Sequence, residues 1–245
     1  LNQPMEQLSK GSGESTVLSA YSSSVINLSN NLTTSLGVTG QYFTLNKNWS
    51  IEPRVALKWK INPAHSLAAA YGFHRERLDY YFVEQIINGK KESNRYLDFS
   101  KAHHFGFTYD WNINQSLHLK IEPYYQYLFH IPVEKNSSFS IINYEEFYLD
   151  RILTSTGTAK NYGIDITLEQ YMKNGFYYMI TGSLFKSKYR GGDRIWRNTR
   201  LDKSYLVNLL AGKEWMVGRL KQNVLSINGR LFFQGGGRYT PVDEE

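Results

Sequence analysis

The sequence predicts an all-β protein, a section of an antiparallel, up-and-down transmembrane β-barrel with about ten strands. Apolar and polar residues alternate with a period of two, over segments longer than the roughly 5–6 residues of an ordinary globular strand. The connections between these segments alternate between short turns and long loops. Aromatic residues make up 15% of the chain, as expected where aromatic girdles mark both edges of a membrane.

The clearest predicted strand is Gln115–His130, and it has two distinct faces. One face is apolar and aromatic: Leu117, Leu119, Ile121, Pro123, Tyr125, Tyr127 and Phe129. The other is mostly polar: His118, Lys120, Glu122, Tyr124, Gln126, Leu128 and His130. The stretch exceeds the roughly 9–11 residues that cross an outer membrane. We therefore expect the first face to contact lipid and the second to line the barrel lumen.

Nine further segments read as strands. In chain order they are Thr16–Leu28, Leu32–Thr44, Ser50–Ile61, Leu67–His74, His103–Trp111, Asn161–Tyr171, Phe176–Tyr189, Tyr205–Trp215 and Leu225–Phe233. Turn signals separate them, such as Asn62-Pro63 and Asn174-Gly175.

The lengths of the connections favour a membrane barrel over a soluble sandwich. Counting from the first strand, the odd connections are short, near Ser29, Pro63, Ile113, Asn174 and Gly218. The even ones are long, apart from the turn at Lys47. Outer-membrane barrels have short periplasmic turns and longer extracellular loops. The long loops, with Lys90 and Lys135, are therefore expected outside the cell.

The composition excludes several other classes of protein. The 245-residue chain has 41% hydrophobic and 20% charged residues, so it is not disordered by composition. It has no cysteine, which excludes disulfides and thiolate metal sites. Its net charge of +6 is spread over many segments without a nucleic-acid motif, so no nucleic-acid partner is predicted. We expect the chain to be a piece of a longer protein.

Two prolines occur inside predicted strands. Pro53 and Pro123 both follow Ile-Glu, and a proline there removes one hydrogen bond of the ladder. We expect a local bulge near each, toward the periplasmic end.

Several sequence segments, taken in order, resemble the barrel of TonB-dependent outer-membrane receptors, most closely the Bacteroidota type. They are IEPR (51–54), SLAAAYGFH (66–74), AHHFGFTYDW (102–111), IEPYYQYLFHIPV (121–133), NYGIDITLEQ (161–170), NGFYYMITGSLFKSKY (174–189), RNTRLDKSYLVNLLAGKEW (197–215) and GGGRYTPVD (235–243). The resemblance covers about residues 16 to 243. Order and spacing make it specific, since no single phrase is diagnostic.

The resemblance implies a 22-stranded barrel around an N-terminal plug domain, in the outer membrane of a Gram-negative bacterium. Such receptors import iron chelates, haem, cobalamin or glycans with energy from the TonB complex, and some work with a surface lipoprotein. Neither a plug nor a TonB box is visible here, so the chain corresponds to a middle-to-late part of the barrel. The alternatives are a passive-diffusion or structural barrel without TonB coupling and, more weakly, a soluble carbohydrate-binding β protein.

Catalysis and cofactor binding are not predicted. The chain lacks a nucleophile elbow and a phosphate-binding loop. Asp165 and Glu169 share a strand face about 13 Å apart, too far for a glycosidase pair. His103 and His104 point to opposite faces and cannot hold one metal ion together.

Candidate functional residues form two groups. A lumen-wall group, facing the plug, comprises Glu52, Arg54, Lys58, Lys120, Glu122, Asp165, Glu169 and Arg230. An outer-rim group of possible substrate contacts comprises His74, Arg75, Arg77, Tyr80, Tyr81, Arg194, Trp196, Arg197 and Arg200. The basic loop could hold an anionic chelate through arginine, contact lipopolysaccharide, or be ordinary solvated charge.

Overall fold

The computed structural model describes residues 14–76, 83–87, 89–144, 149 and 151–238. The strands in these ranges are β1 Val17–Asn27, β2 Leu32–Phe43, β3 Asn48–Lys60, β4 His65–Glu76, β5 Glu84–Ile87, β6 Lys90–Ser93, β7 Ser100–Asn112, β8 Leu117–Val133, β9 Thr154–Lys173, β10 Phe176–Arg190, β11 Trp196–Asn198, β12 Tyr205–Val217 and β13 Asn223–Gln234. Two short 3-10 turns, Asn94–Tyr96 and Ile141–Asn143, lie in the connections. The described residues include no helix that could span a membrane.

Eleven strands form one antiparallel sheet. Its order is β1-β2-β3-β4-β7-β8-β9-β10-β12-β13, with β11 paired to β10 at one end. The hairpin β5–β6 forms a separate small sheet. Each strand of the main path pairs with the next one in this order, so the predicted up-and-down arrangement of about ten strands is confirmed.

The alternation of short and long connections is also confirmed. Turns of two to five residues join β1–β2, β2–β3, β3–β4, β7–β8, β9–β10 and β12–β13. Longer connections follow β4, β8 and β10 and lie at one end of the sheet. The connection after β8 is shorter than expected, because β9 starts at Thr154 instead of Asn161. The region 75–100, expected to be irregular, contains the β5–β6 hairpin.

The expectation of bulges at the two prolines is wrong. The β2–β3 register runs unbroken through Pro53, and pairing with β4 begins one residue later at Arg54. Pro123 pairs in register with Ile164, while the β7–β8 ladder skips Glu122 and Pro123 without a shift. Proline lacks only its backbone N–H, so the hydrogen-bonded pairing is interrupted with one neighbouring strand only. The strand therefore does not need the extra residue of a bulge.

Pro53 also lies near the middle of its strand, not toward the expected end. It is in the first half of β3, closer to the β2–β3 turn than to the β3–β4 turn. The register shifts that do occur lie elsewhere, between Phe129 and Val133 in β8 and at the start of β10.

The register gives the sheet one apolar and one polar face. Val55, Tyr71, Phe105, Tyr125 and Tyr162 lie side by side across five strands on the apolar face. The next row on the polar face is Arg54, Gly72, His104, Gln126, Asn161 and Ser187. Tyr125 remains 41% and Phe105 49% exposed, so the described residues leave the apolar face uncovered.

The main hydrophobic core lies among the long connections. Phe43 at the end of β2 packs with Leu97, Phe99, Leu149 and Leu153. A second cluster joins Ile131, Ala159 and Tyr189 at the same end of the sheet, with Ile141 and Ile142 packed against it. The described residues of the long connections therefore form a packed cap over one end of the sheet.

Candidate functional site

Glu52 is the most constrained carboxylate of the polar face. It is 3% exposed and lies 2.8 Å from Arg75 Nε, while Ser50 Oγ donates to it at 3.0 Å. Arg54 Nη2 is 3.8 Å away. Arg75 also bonds to Gln41, and its guanidinium lies 3.9 Å from the ring centre of Phe99. Arg75, expected at the outer rim, therefore ties the cap to the wall.

The rest of the predicted lumen-wall group lies on this same face. Lys120 Nζ is 2.8 Å from Glu122, and Arg230 Nε donates to Asn208 at 2.7 Å. Lys58, Asp165 and Glu169 follow from strand alternation and register. The wall thus carries charges of both signs, and Glu52 and Lys120 are paired with opposite charges.

A chain of neutral hydrogen bonds crosses the polar face nearer the cap. Asn161 Nδ2 donates to Gln126 at 3.1 Å, and Ser187 Oγ donates to Asn161 at 2.7 Å. Thr199 Oγ1 then donates to Ser187 at 2.8 Å. This chain joins β8, β9 and β10 to the basic loop 191–204.

The polar face carries a depression of about 690 Å³. Its floor consists of small residues, and its rim carries larger polar ones. The floor includes Gly37, Ala56, Ala70, Gly72 and Gly106. The rim includes Arg54, His74, His104, Tyr124 and Gln126. Space remains because a Cβ added at Gly106 would meet nothing within 4 Å.

The outer-rim candidates do not gather at one point. His74 lines the polar-face depression. Arg77, Tyr80 and Tyr81 lie outside the described residues. Trp196 instead packs beneath two cations, with Lys160 Nζ 4.6 Å and Arg190 Cζ 5.5 Å from its ring centre.

The basic loop is internally bonded. Arg197 Nη2 lies 2.7 Å from Asp193, and this bond lowers the pKa of the Asp193 carboxyl, aided by the Ile195 N–H. The same contact raises the pKa of Arg197. The backbone N–H of Arg200 donates to Asn143 at 3.2 Å, linking this loop to the β8–β9 connection.

A second cavity of about 690 Å³ lies between these two loops. Its lining includes Lys135, Asn136, Thr154, Thr156, Arg190, Asp193 and Arg194. The lining has three cations, Lys135, Arg190 and Arg194. Its one carboxylate, Asp193, is already paired with Arg197. The cavity is therefore suited to an anion. Of the predicted candidates it contains Arg194.

Sequence reasoning missed the contribution of the β8–β9 connection to this cavity. The sequence alone identifies Lys135 only as an exposed loop lysine and places Thr154 and Thr156 in a loop. The one available signal was the pairing of two polar connections at the same end of the predicted sheet.

Comparisons with known proteins identify similar folds but no related sequence family. No family model matches the sequence, and no curated protein matches it. Several solved structures are similar in fold, and three of them are described next. The alcaligin outer-membrane receptor FauA of Bordetella pertussis has a TM-score of 0.60 at 16% identity, over 90% of this chain and 37% of its own. The ferripyoverdine receptor of the outer membrane of Pseudomonas aeruginosa has a TM-score of 0.62 at 14% identity, over 88% of this chain and 28% of its own.

The third is a variant of the ferric enterobactin receptor PfeA from Pseudomonas aeruginosa, with a TM-score of 0.61 at 11% identity. The match covers 92% of this chain and 33% of the receptor. This chain thus spans about a third of the length of the receptors it resembles.

The fold is that of one part of the wall of an outer-membrane receptor barrel. The similar structures are named as receptors for alcaligin, ferripyoverdine and ferric enterobactin.

Proposed function

We propose that this chain is the middle-to-late barrel portion of a TonB-dependent nutrient receptor of the Bacteroidota type, in the outer membrane of a Gram-negative bacterium. Its polar face lines the lumen and faces a plug domain, through which TonB supplies energy for import. The sequence phrases support this proposal, as does the likeness in fold to siderophore receptors.

One observation carries the proposal. The sheet leaves an apolar face exposed across ten consecutive strands, and its long connections form a folded cap at one end. A soluble protein would cover such a face, because exposed patches beyond a few hundred Å² are rare on soluble monomers. Lipid covers it in a membrane barrel, with short turns on the periplasmic side.

A ferric siderophore is the substrate class we favour. The similar receptors are named for alcaligin, ferripyoverdine and ferric enterobactin. The basic cavity of Lys135, Arg190 and Arg194 would suit an anionic chelate. We propose that His74, Arg77, Tyr80, Tyr81, Arg194, Trp196, Arg197 and Arg200 contact the ligand, whereas Arg75 acts indirectly through Glu52.

Uptake of radioactive iron supplied as siderophore complexes tests this function in the native bacterium. Deleting the gene should abolish uptake of one complex, and removing TonB should have the same effect. Uptake that persists without TonB would instead support a passive barrel. A charge-reversed cavity, Arg194→Glu with Lys135→Glu, should raise the ligand concentration needed for half-maximal uptake. The matched reversal Lys213→Glu, near the short turns, should leave it unchanged.

Surface labelling tests the topology separately. Lysine-directed reagents that do not cross the membrane should label Lys90 and Lys135 in intact cells. Protection of both in intact cells, with labelling from the periplasmic side, would contradict the orientation.

A further inference from the structure

The chain's six histidines fall into two classes. Four have a polar partner within 3.0 Å: His65 with Tyr109, His103 with Tyr71, His118 with Asp110, and His130 with Asp98. His74 and His104 have no hydrogen bond or ion pair within the described residues, and they contact each other instead. Their ring nitrogens therefore remain available as ligands.

The register of β4 and β7 brings His74 and His104 close together. His104 lies directly opposite Gly72 in the β4–β7 ladder, and His74 is two residues further along β4. The His74 ring lies over Gly72, where an added Cβ would collide with Nε2. The two ring centres are 4.6 Å apart, with an angle of 45° between the ring planes. Glycine at position 72 is what allows this arrangement.

The spacing fits two imidazoles that share one metal ion. Zinc–nitrogen bonds of about 2.0–2.1 Å, with nitrogens at 90–109° around the metal, place ring centres roughly 4.5–5.2 Å apart. Imidazole suits zinc, copper and nickel. The described residues contain no group of three or more His, Cys, Asp or Glu able to hold a metal. The pair alone would leave the other coordination positions open.

We propose that His74 and His104 form a two-ligand site for a divalent first-row transition-metal ion on the wall of the polar-face depression. The open positions take water or donor atoms of a molecule in that depression, beside Tyr124 and Gln126. The site goes beyond the proposed function, since metal binding requires the folded sheet and does not require transport. Arg54 borders the same depression, and its charge disfavours a bare cation. Affinity is therefore expected to be modest and release easy.

Metal binding by the purified full-length protein tests the proposal. After treatment with a chelator, Zn²⁺ is titrated by calorimetry and Cu²⁺ is examined by electron paramagnetic resonance. The Cu²⁺ spectrum should show coupling to two imidazole nitrogens. His74→Gln and His104→Gln should each weaken this site about tenfold or more, and the double variant should bind one metal ion fewer than wild type.

Two further variants separate metal binding from simple ring packing. His103→Gln removes a histidine adjacent in sequence but on the opposite face, so binding should be unchanged. Gly72→Ala keeps both imidazoles but displaces the His74 ring, so binding should weaken as in the single histidine variants. Far-UV circular dichroism confirms that each variant is folded.

The proposal is overturned if the double variant keeps the wild-type stoichiometry and affinity, or if Cu²⁺ shows no imidazole coupling that depends on these two residues. Unchanged binding by Gly72→Ala would also contradict it. Iron uptake is measured in parallel. Absence of uptake in the wild type would contradict the proposed function while leaving the metal result standing.

Discussion

At the scale of single residues, Phe107 distinguishes a lipid-facing wall from a soluble sheet. It lies in the middle of β7, is 42% exposed and projects from the apolar face. Phe107→Arg should cost about 2–4 kcal/mol of unfolding free energy if this position is near the bilayer midplane. Urea unfolding in lipid bilayers measures the change.

The neighbouring residue gives the matched control. Thr108 projects to the polar face and bonds to Glu122 at 3.4 Å, so Thr108→Arg should cost far less. Trp59→Arg, at the penultimate position of β3, should cost only about 0–1 kcal/mol because it lies near the interface. Equal small costs at Phe107 and Thr108 would favour the soluble alternative.

We expect the order of loop 191–204 to depend on pH through Asp193, which is bonded to Arg197. Its folded-state pKa is lowered from 3.8, chiefly by the hydrogen bond from Arg197. A lowered carboxyl pKa contributes stability that is present above the unfolded pKa and is lost as pH falls through the folded one. Hydrogen exchange in loop 191–204, corrected for intrinsic rates, should therefore stay slow at neutral pH and rise below 3.8.

Asp193→Asn should raise exchange at neutral pH and abolish this acid-dependent rise. Asp110→Asn, which removes a carboxylate from the polar face, serves as the control and should leave the loop unaffected. An unchanged profile in Asp193→Asn would assign the loop's order to other contacts.

At the scale of elements, the β9–β10 turn depends on Gly175. Asn174 and Gly175 have φ values of 53° and 74°, as the favoured two-residue hairpin turn requires. A Cβ at Gly175 would also collide with the carbonyl oxygen of Glu214. Gly175→Ala should lower the unfolding free energy by about 1 kcal/mol or more. Gly229→Ala, where a Cβ meets nothing within 4 Å, should be nearly neutral in the same urea titration.

Most elements of the wall could be predicted because alternation is a local signal. In β8, apolar or aromatic residues alternate with mostly polar ones from Leu117 to Phe129, and the turns carry Asn, Pro or Gly. The start of β9 could not be predicted, because Thr154, Thr156 and Thr158 lack the apolar side chains that mark a face. The sequence also could not show that Pro123 interrupts the pairing of β8 with β7 but not with β9.

The candidate sites were less predictable because they depend on contacts between distant segments. The sequence places Arg75 at the outer rim, but its ion-pair partner Glu52 lies in the preceding strand, far away in the sequence. The pairing of Lys135 with the 191–194 loop depends on how two connections fold together. His74 and His104 meet only through the β4–β7 register.

At the scale of the whole molecule, the described sheet has two unpaired edges. β1 and β13 each pair on one side only, so both present free backbone donors and acceptors. Residues 14–238 produced alone in detergent should therefore associate into oligomers and aggregates. Sedimentation velocity measures this. A single monomeric species with native-like circular dichroism would instead show that the edges close on each other.

The cap has a consequence for the thermodynamics of recognition. Phe43, Leu97, Phe99, Leu149 and Leu153 give the long connections a buried core of their own, and Arg75 ties that core to the wall. Loops held in this way have already lost much of their conformational freedom before any ligand arrives. In the proposed receptor, association would lose little free energy to the ordering of these loops, so the surface that they form would be preorganised for its ligand.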